Sequence, residues 1–274
     1  MRVATVDGLV TLFYDGSEPL YNSDLHDEWF VKWNEHYRND GNWEDWDLSD
    51  ECKRYWGERQ SWQQIIVING VTEIPDVTFC YCFNIRCVIF ADTVIRIEIS
   101  AFYLCKSLVS VKWSINLEFI GEASFEYCDL SSVFIPPRCR EIGEYAFCGN
   151  RNLEILNVPQ NANLVEPQWI IRDTALYSKY PHQRAEVDVW LKNINNHDKF
   201  ALHRVCASFE PTLDLVLNTM KEKGGLKAFK VENSIGITPS RYLNENPYAK
   251  VTEKEVIEKY VLQMMGEVSN TDEV

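Results

Sequence analysis

The chain has 274 residues, 46% hydrophobic and 25% charged, a composition typical of a soluble globular protein, and its length indicates roughly two domains. A formal net charge of −14 argues against nucleic acid or an anionic membrane as a partner, because both require basic patches. No stretch approaches the roughly 18 apolar residues of a membrane span.

The first residues predict a β-hairpin. Residues 3–14 alternate around Asp7-Gly8, which is typical of two strands joined by a tight primed turn. Asp7 also interrupts any apolar run, so we expect no secretory signal. The nine cysteines are odd in number and scattered, and without a signal we expect reduced thiols in an intracellular protein, cytoplasmic with the nucleus left open.

Residues 1–61 are predicted to form an acidic, Trp-rich α+β cap. Residues 1–60 hold 14 acidic and 6 basic residues, and helical spacing over 24–37 is followed by Ser49 as the cap of a helix that ends near residue 60. Six of the nine tryptophans fall within the first 62 residues: Trp29, Trp33, Trp43, Trp46, Trp56 and Trp62. The favoured interpretation is a unit that covers the open end of a repeat domain. The alternative is a carbohydrate-binding face built from Trp and carboxylates of residues 24–58, such as Glu44, Asp45 and Asp47. A calcium loop around Gly41 is excluded, because His36 and Arg38 would occupy positions that need oxygen ligands.

An internal repeat of 22 to 23 residues is the strongest signal in the chain. Several columns recur at this spacing: Phe79, Phe102, Phe125 and Phe147; Ile74, Ile97, Ile120 and Ile142; Cys82, Cys105 and Cys128; and Val88, Val111, Val133 and Leu156. A V-x-I stretch in each unit alternates, so it predicts a short strand, and repeats of this length stack into a parallel-stranded solenoid. We expect four and a half repeats and a final turn over residues 62–172.

Residues 142–147 (I-G-E-Y-A-F) and 133–136 (V-F-I-P) resemble the BspA-type leucine-rich repeat, in the intracellular form found in diatoms and other microbial eukaryotes. The resemblance implies an α/β fold, a leucine-rich-repeat solenoid with short parallel strands. Repeat four departs from the pattern, since Asn150 stands where cysteine is usual.

The outward side chains of the predicted strands form a candidate protein-binding face. The middle column and its neighbour supply these residues: Ile66, Ile89, Lys112, Phe134, Asn157, Ser110, Ser132 and Ile155. Apolar side chains on a face that should be wet usually mark a contact. That contact is either a protein partner or another part of the same chain, and the sequence leaves both open.

Residues 173–268 are predicted to be helical, with a polar tail over 269–274. Helices are expected around residues 187–194 and 213–220, and Thr252 with Glu255 forms a capping box for a last helix. Residues 201–203 (A-L-H) and 236–239 (G-I-T-P) resemble two degenerate ankyrin repeats. In such units the histidine bonds to backbone, so a structural role is favoured for His203 over that of a ligand or base.

The sequence lacks the common motifs of catalytic, nucleotide-binding and metal-binding sites. We find no phosphate-binding loop, dinucleotide fingerprint, G-x-S-x-G or H-E-x-x-H pattern. The cysteines at positions 80, 82 and 87 match no structural zinc spacing, and Cys206 with His203 lacks a third orienting group. We therefore expect no catalytic, cofactor or metal site. The predicted function is a non-enzymatic, monomeric scaffold that binds an unknown protein through the concave face, the ankyrin-like helices or both; the alternative is a carbohydrate-binding or carbohydrate-active protein.

Overall fold

The computed structural model describes residues 2–16, 48–180, 186–195, 200–208 and 210–269, with side chains up to residue 263. The chain forms two compact units. The first comprises Met1–Ser131, Arg138–Glu154 and Asn161–Tyr177, and the second comprises Ser132–Pro137, Ile155–Gln160 and Ser178–Val274. Two short pieces of the repeat region therefore belong with the C-terminal helices.

The repeats form a solenoid of about four turns with parallel strands. One sheet of the first unit has the order β1 (Arg2–Val6), β2 (Leu9–Tyr14), β3 (Gln64–Val67), β5 (Cys87–Ile89) and β7 (Ser110–Lys112). Its other sheet consists of β4 (Glu73–Ile74), β6 (Arg96–Ile97), β8 (Phe119–Ile120), β10 (Glu141–Ile142) and β12 (Asn163–Leu164). The strands β9 (Ser132–Phe134) and β11 (Ile155–Asn157) pair with each other in the second unit.

The predicted hairpin is present at the N-terminus. Asp7 and Gly8 both have positive φ, 51° and 81°, as a primed turn requires, and β1 pairs antiparallel with β2. In addition, β2 runs parallel to β3, with Leu12 opposite Ile65. The hairpin thus extends the sheet of the repeats by two strands.

The phenylalanine column forms the centre of the first unit. Phe79, Phe102, Phe125 and Phe147 are all fully buried. Their rings stack with centroids 5.0, 5.1 and 5.9 Å apart along the column. The isoleucine column of β4, β6, β8 and β10 is equally buried. The predicted inward positions are therefore confirmed, and each turn packs on the next through the same side chains.

The cysteine column lies beside these rings and hydrogen-bonds to backbone. The Cys105 thiol donates to the carbonyl of Phe79 at 3.2 Å, and the Cys128 thiol donates to that of Phe102 at 3.3 Å. Asn150, the departure from the pattern, is fully buried and its Nδ2 donates to the carbonyl oxygen of Phe125 at 2.8 Å. Asparagine thus makes the same turn-to-turn bond that the thiols make.

Helix α1 (Asp50–Ser61) packs against the first turns of the solenoid. The Ser49 side chain accepts from the Cys52 amide, as the capping pattern predicts. The buried Arg59 donates through Nη2 to the carbonyls of Thr78 (2.9 Å) and Cys80 (3.1 Å). One turn later, the corresponding carbonyls accept from the amides of the preceding turn. No turn precedes the first one, so Arg59 takes the place of the backbone amides that would otherwise donate to these two carbonyls.

A short helix, α2 (Pro167–Ile170), follows the last turn. The second unit contains α3 (Val187–Asn193), α4 (Ala201–Ala207), α5 (Leu213–Glu222), α6 (Pro239–Glu245) and α7 (Glu253–Ser269). Short 3-10 segments lie at Tyr177–Lys179 and Gly225–Lys230. Helix α4 contacts α5 and α6, and α7 contacts α5 and α6.

The predicted local signals of the second unit are present. Thr252 and Glu255 form the capping box, with the Thr252 amide 2.7 Å from Oε2 of Glu255. His203 is buried, and its Nε2 lies 2.8 Å from the carbonyl oxygen of Val231, so a backbone partner is confirmed for this ring. The helix predicted over residues 24–37 lies outside the described residues, as does the predicted tail over 269–274 apart from Ser269, which is the last residue of α7.

Candidate protein-interaction face

The outward side of the first unit's strand sheet carries one continuous row of side chains across five strands. We call it the outward row, and strand register aligns its members side by side: Arg2, Phe13, Ile66, Ile89 and Lys112. The row is one position out of phase with the buried Leu12, Ile65, Val88 and Val111, so the pleat turns it away from the core.

The outward row is apolar in the middle and cationic at both ends. Phe13, Ile66 and Ile89 are half-buried against one another, while Arg2 and Lys112 are exposed. The guanidinium of Arg2 lies over the Phe13 ring, 4.5 Å from its centroid. Within the described part of the chain, neither cation forms an ion pair. This arrangement suits a partner with apolar side chains flanked by carboxylates.

A neighbouring row on the same sheet is polar. Gln64, Cys87 and Ser110 lie side by side across β3, β5 and β7. Partial burial raises the pKa of the Cys87 thiol, and a hydrogen bond with the Gln64 side chain opposes this shift only in part. The thiol is therefore neutral at physiological pH, and this row offers hydrogen bonds but no charge.

The remaining predicted face residues lie in the second unit. For two of them, Phe134 and Ile155, the prediction of an outward, exposed side chain is wrong. Phe134 is 3% exposed and Ile155 is 1% exposed. The Phe134 ring meets Tyr242 of α6 edge-on, with centroids 6.4 Å apart. Helices that pack on β9 and β11 account for the burial, so the internal-contact alternative holds for this part of the face.

Asn157 and Ser132 are half-buried in the same unit. The Asn157 Nδ2 donates to the Ala207 carbonyl at the end of α4, at 2.9 Å. Asn157 therefore joins β11 to a helix of its own unit. Of the eight predicted residues, the structure leaves Ile66, Ile89, Ser110 and Lys112 on one outward surface.

Arg2 and Phe13 were not among the predicted face residues. The alternation of residues 9–14 marked Phe13 as out of phase with Leu12, which is the signal for an outward position. Nothing local to residues 2–14 indicated that β2 would pair with β3, because that contact spans about fifty residues of chain. The predicted face therefore began at Ile66 and did not include the two strands of the hairpin.

The tryptophans, carboxylates and cysteines that the sequence offered as candidate binding or metal-ligating residues can be compared with the structure. Trp56 and Trp62 are 1% and 2% exposed, whereas the other N-terminal tryptophans, Glu44, Asp45 and Asp47 lie outside the described residues. No disulfide is formed by the nine cysteines, each of which falls in the described part of the chain. Among the described residues no group of three or more His, Cys, Asp or Glu side chains is placed to hold a metal ion. None of the described helices is long and apolar enough to cross a bilayer.

Comparison with known proteins supports the repeat type. Residues 72–178 match the family model of the BspA type leucine rich repeat region in 6 copies. A search among curated proteins found no match. The ankyrin-like resemblance of the C-terminal helices and a diatom-like origin stay predictions.

Three solved structures are similar to part of the chain. A leucine-rich repeat protein from T. pallidum is 22% identical with a TM-score of 0.36, over 38% of this chain and 51% of that one. A leucine rich cell surface protein from Faecalibacterium prausnitzii is 26% identical with a TM-score of 0.40, over 42% and 30%. A leucine-rich repeat protein from Bacteroides ovatus is 26% identical with a TM-score of 0.37, over 39% and 28%. The chain thus spans about half of the first protein and under a third of the other two.

Proposed function

We propose that the chain is a non-enzymatic scaffold that binds a protein partner through the outward row. Leucine-rich repeat proteins are generally protein-interaction scaffolds, and residues 72–178 match such repeats. The observation that carries the proposal is the row itself, with three apolar side chains on an outward sheet face between two cations. Apolar side chains that lie next to one another on an outward face are a common feature of contact surfaces.

The chemistry of the row defines the partner. Apolar side chains of the partner would cover Phe13, Ile66 and Ile89, and its carboxylates would meet Arg2 and Lys112. A chain with a net charge of −14 repels most acidic proteins. Its two cations in the row therefore select a partner segment whose few carboxylates lie opposite Arg2 and Lys112. The scaffold is proposed to act as a monomer in a reducing compartment, which suits nine cysteines that form no disulfide.

The carbohydrate alternative gains no support from the two described N-terminal tryptophans. Trp56 and Trp62 are buried, so neither ring can stack on a sugar. The ankyrin-like helices are a second possible contact for the proposed protein partner, and they remain part of the proposal.

The test is affinity capture with paired variants of the full chain. Ile66→Asp with Ile89→Asp places two carboxylates in the row, and Ile99→Asp is the matched control because Ile99 is an exposed apolar residue outside it. The proposal expects a protein that is retained by wild type and by the control and lost from the double variant. Lys112→Glu should weaken that binding about tenfold at low salt and less at high salt.

Far-UV circular dichroism of each variant establishes that the fold is kept. Identical capture profiles for wild type and the double variant would refute the proposed face. Loss of the same protein from the Ile99→Asp control would refute it as well, since the effect would then not be specific to the row.

A further inference from the structure

The first strand of the chain, β1, has one side with which no other described strand pairs. It pairs with β2 on its other side, and it stands first in the strand order of its five-stranded sheet. Within the part of the chain that the structure describes, β1 is therefore an edge strand. The backbone N–H and C=O groups of an edge strand are available to a further strand.

The register of the hairpin decides which backbone groups lie on this β1 edge. The two residues that flank a two-residue primed turn form a hydrogen-bonded pair, and such pairs alternate with pairs that are not hydrogen-bonded. Val6 and Leu9 flank the turn. Val3 and Thr5 therefore hold the alternate positions, and they direct their amides and carbonyls away from β2.

The residue opposite Thr5 has the phase that this register requires. Val10 lies opposite Thr5, and its carbonyl accepts from the Gln63 amide at 2.8 Å, so the backbone of Val10 faces away from β1. Apart from the ladder with β2, no hydrogen bond between described residues uses the backbone of Val3 or Thr5. Two amides and two carbonyls thus point outward at the β1 edge.

The β1 edge lacks the features by which proteins usually protect an edge, which are proline, a bulge or several charges. Its five residues pair one-to-one with β2, so there is no bulge, and its sequence R-V-A-T-V contains no proline. Its single charge, Arg2, lies over the Phe13 ring of its own sheet. Val3, an apolar residue, is 44% exposed. The edge is therefore suited to pairing with another strand.

We propose that part of the protein partner binds to the β1 edge as one added antiparallel strand. The added strand forms hydrogen-bonded pairs with Val3 and Thr5, and an apolar side chain opposite Val3 covers its exposed side chain. Arg2 at one end of β1 and Asp7 just beyond the other end favour a strand with a carboxylate opposite Arg2 and a cation near Asp7. The inference rests on the proposed function, because it names the form in which a protein partner binds.

A second copy of this chain is the less favoured occupant. Antiparallel pairing of β1 with the same strand of another copy would also bring unlike charges together at the strand ends. However, each copy has a net charge of −14, and residues 1–60 alone carry 14 acidic and 6 basic residues, so two copies repel one another. A strand from a less acidic protein meets no such repulsion.

Solvent-exchange NMR of the full chain tests the inference, with the peptide acetyl-KTVTVE-amide as the probe. In the antiparallel register, the peptide glutamate lies opposite Arg2 and the two valines lie opposite Val3 and Thr5. Wild type should bind this peptide with a Kd of about 0.1 to 1 mM. At a peptide concentration of about ten times the Kd, exchange of the Val3 and Thr5 amides should slow about tenfold.

The Ala4 and Val6 amides are the internal reference, because both donate to β2 in this register. They should exchange more slowly than those of Val3 and Thr5 without peptide, and peptide should change them little.

Backbone methylation of the peptide supplies a matched pair of probes. N-methylation of both valines removes the donors to β1 and should weaken binding at least about tenfold. N-methylation of both threonines places the methyl groups on the far side of the added strand and should leave the Kd within about twofold.

The protein supplies a second pair of variants. Val3→Pro removes one donor from the β1 edge but none from the ladder with β2, and proline is tolerated at such positions. It should weaken binding about tenfold, whereas Val3→Thr keeps the donor and should bind as wild type does. Slow exchange of the Ala4 and Val6 amides in Val3→Pro shows that the hairpin is kept.

Four results would overturn the inference. The first is no binding up to about 10 mM peptide, and the second is equal binding of the two methylated peptides. The third is slow exchange of the Val3 and Thr5 amides in monomeric wild type without peptide. The fourth is a concentration-dependent dimer, seen by sedimentation equilibrium, that protects these two amides, because the edge would then pair with a second copy.

The β1 edge and the outward row can be tested apart. The variant with Ile66→Asp and Ile89→Asp leaves β1 unchanged in sequence, so it should bind the peptide with the affinity of wild type. Peptide binding therefore tests the edge, capture of a protein by the row variants tests the proposed function, and the failure of one is distinguishable from the failure of the other.

Discussion

Asn150 allows a test of whether the hydrogen bonds of a repeat position stabilise the fold, because it replaces the cysteine that the repeat usually has there. Its side chain is fully buried, donates to the carbonyl oxygens of Phe125 (2.8 Å) and Phe147 (3.0 Å), and accepts from the Leu130 amide (3.0 Å). Asn150→Ala leaves the Leu130 amide and the Phe125 carbonyl without these partners where water does not reach. At roughly 1–3 kcal/mol for each group, we expect a loss of about 3–5 kcal/mol in the free energy of unfolding.

Asn150→Cys restores the residue that the column has in its other turns. A thiol can donate to the Phe125 carbonyl, as Cys128 does to that of Phe102, but it gives the Leu130 amide no strong acceptor. The loss should therefore be about half of that for Asn150→Ala. Equilibrium urea denaturation measures the three proteins, and hydrogen exchange at the Leu130 amide reports the local bond.

The control is Asn152→Ala, because Asn152 is exposed and should change stability by no more than about 0.5 kcal/mol. A loss of less than about 1 kcal/mol in Asn150→Ala would contradict the proposed role of these hydrogen bonds. A cysteine variant as unstable as the alanine variant, or equally slow exchange of the Leu130 amide in all three proteins, would contradict it as well.

Three further predictions concern other parts of the chain. Arg59→Met removes charge-assisted bonds to two buried carbonyls, so urea denaturation should show a loss of about 3 kcal/mol; a loss under about 1 kcal/mol would contradict their role. A Cβ at Gly143 would lie 2.5 Å from the Glu122 backbone nitrogen, so Gly143→Ala should lower Tm by about 5 °C while the exposed Glu122→Ala leaves it nearly unchanged. Equal Tm values for these two variants would show that the turns can move apart. Burial lowers the pKa of His203, so the unfolded state binds its proton more readily and stability falls as pH drops below about 6.5. His203→Gln should flatten this part of the pH profile of Tm, and an unchanged slope would refute it.

The repeats could be predicted because their stabilising contacts are periodic. Each turn buries the same columns against the next, so the spacing of Phe79, Phe102, Phe125 and Phe147 in the sequence is also their spacing in the stack. Local signals were equally readable where they involve few residues, such as the Asp7-Gly8 turn. In both cases the residues that decide the conformation lie within about one repeat length of one another in the sequence.

Contacts between distant segments could not be predicted in this way. Phe134 has the outward phase of Ile89, yet Tyr242, more than a hundred residues later, covers it. The parallel pairing of β2 with β3 is long-range in the same sense. The alternation of apolar and polar residues shows to which side of a strand a side chain points. It does not show which distant segment of the chain packs over that side.

The contact of Arg59 with the first turn has a consequence for assembly. Stacked turns present unpaired carbonyls and amides at each end, and such an end is a template on which another chain can polymerise. Here the guanidinium occupies the carbonyls of Thr78 and Cys80, and the antiparallel β1 reverses the strand direction that a further parallel turn would need. At this end, therefore, a side chain and a change of strand direction both oppose the addition of a further parallel turn.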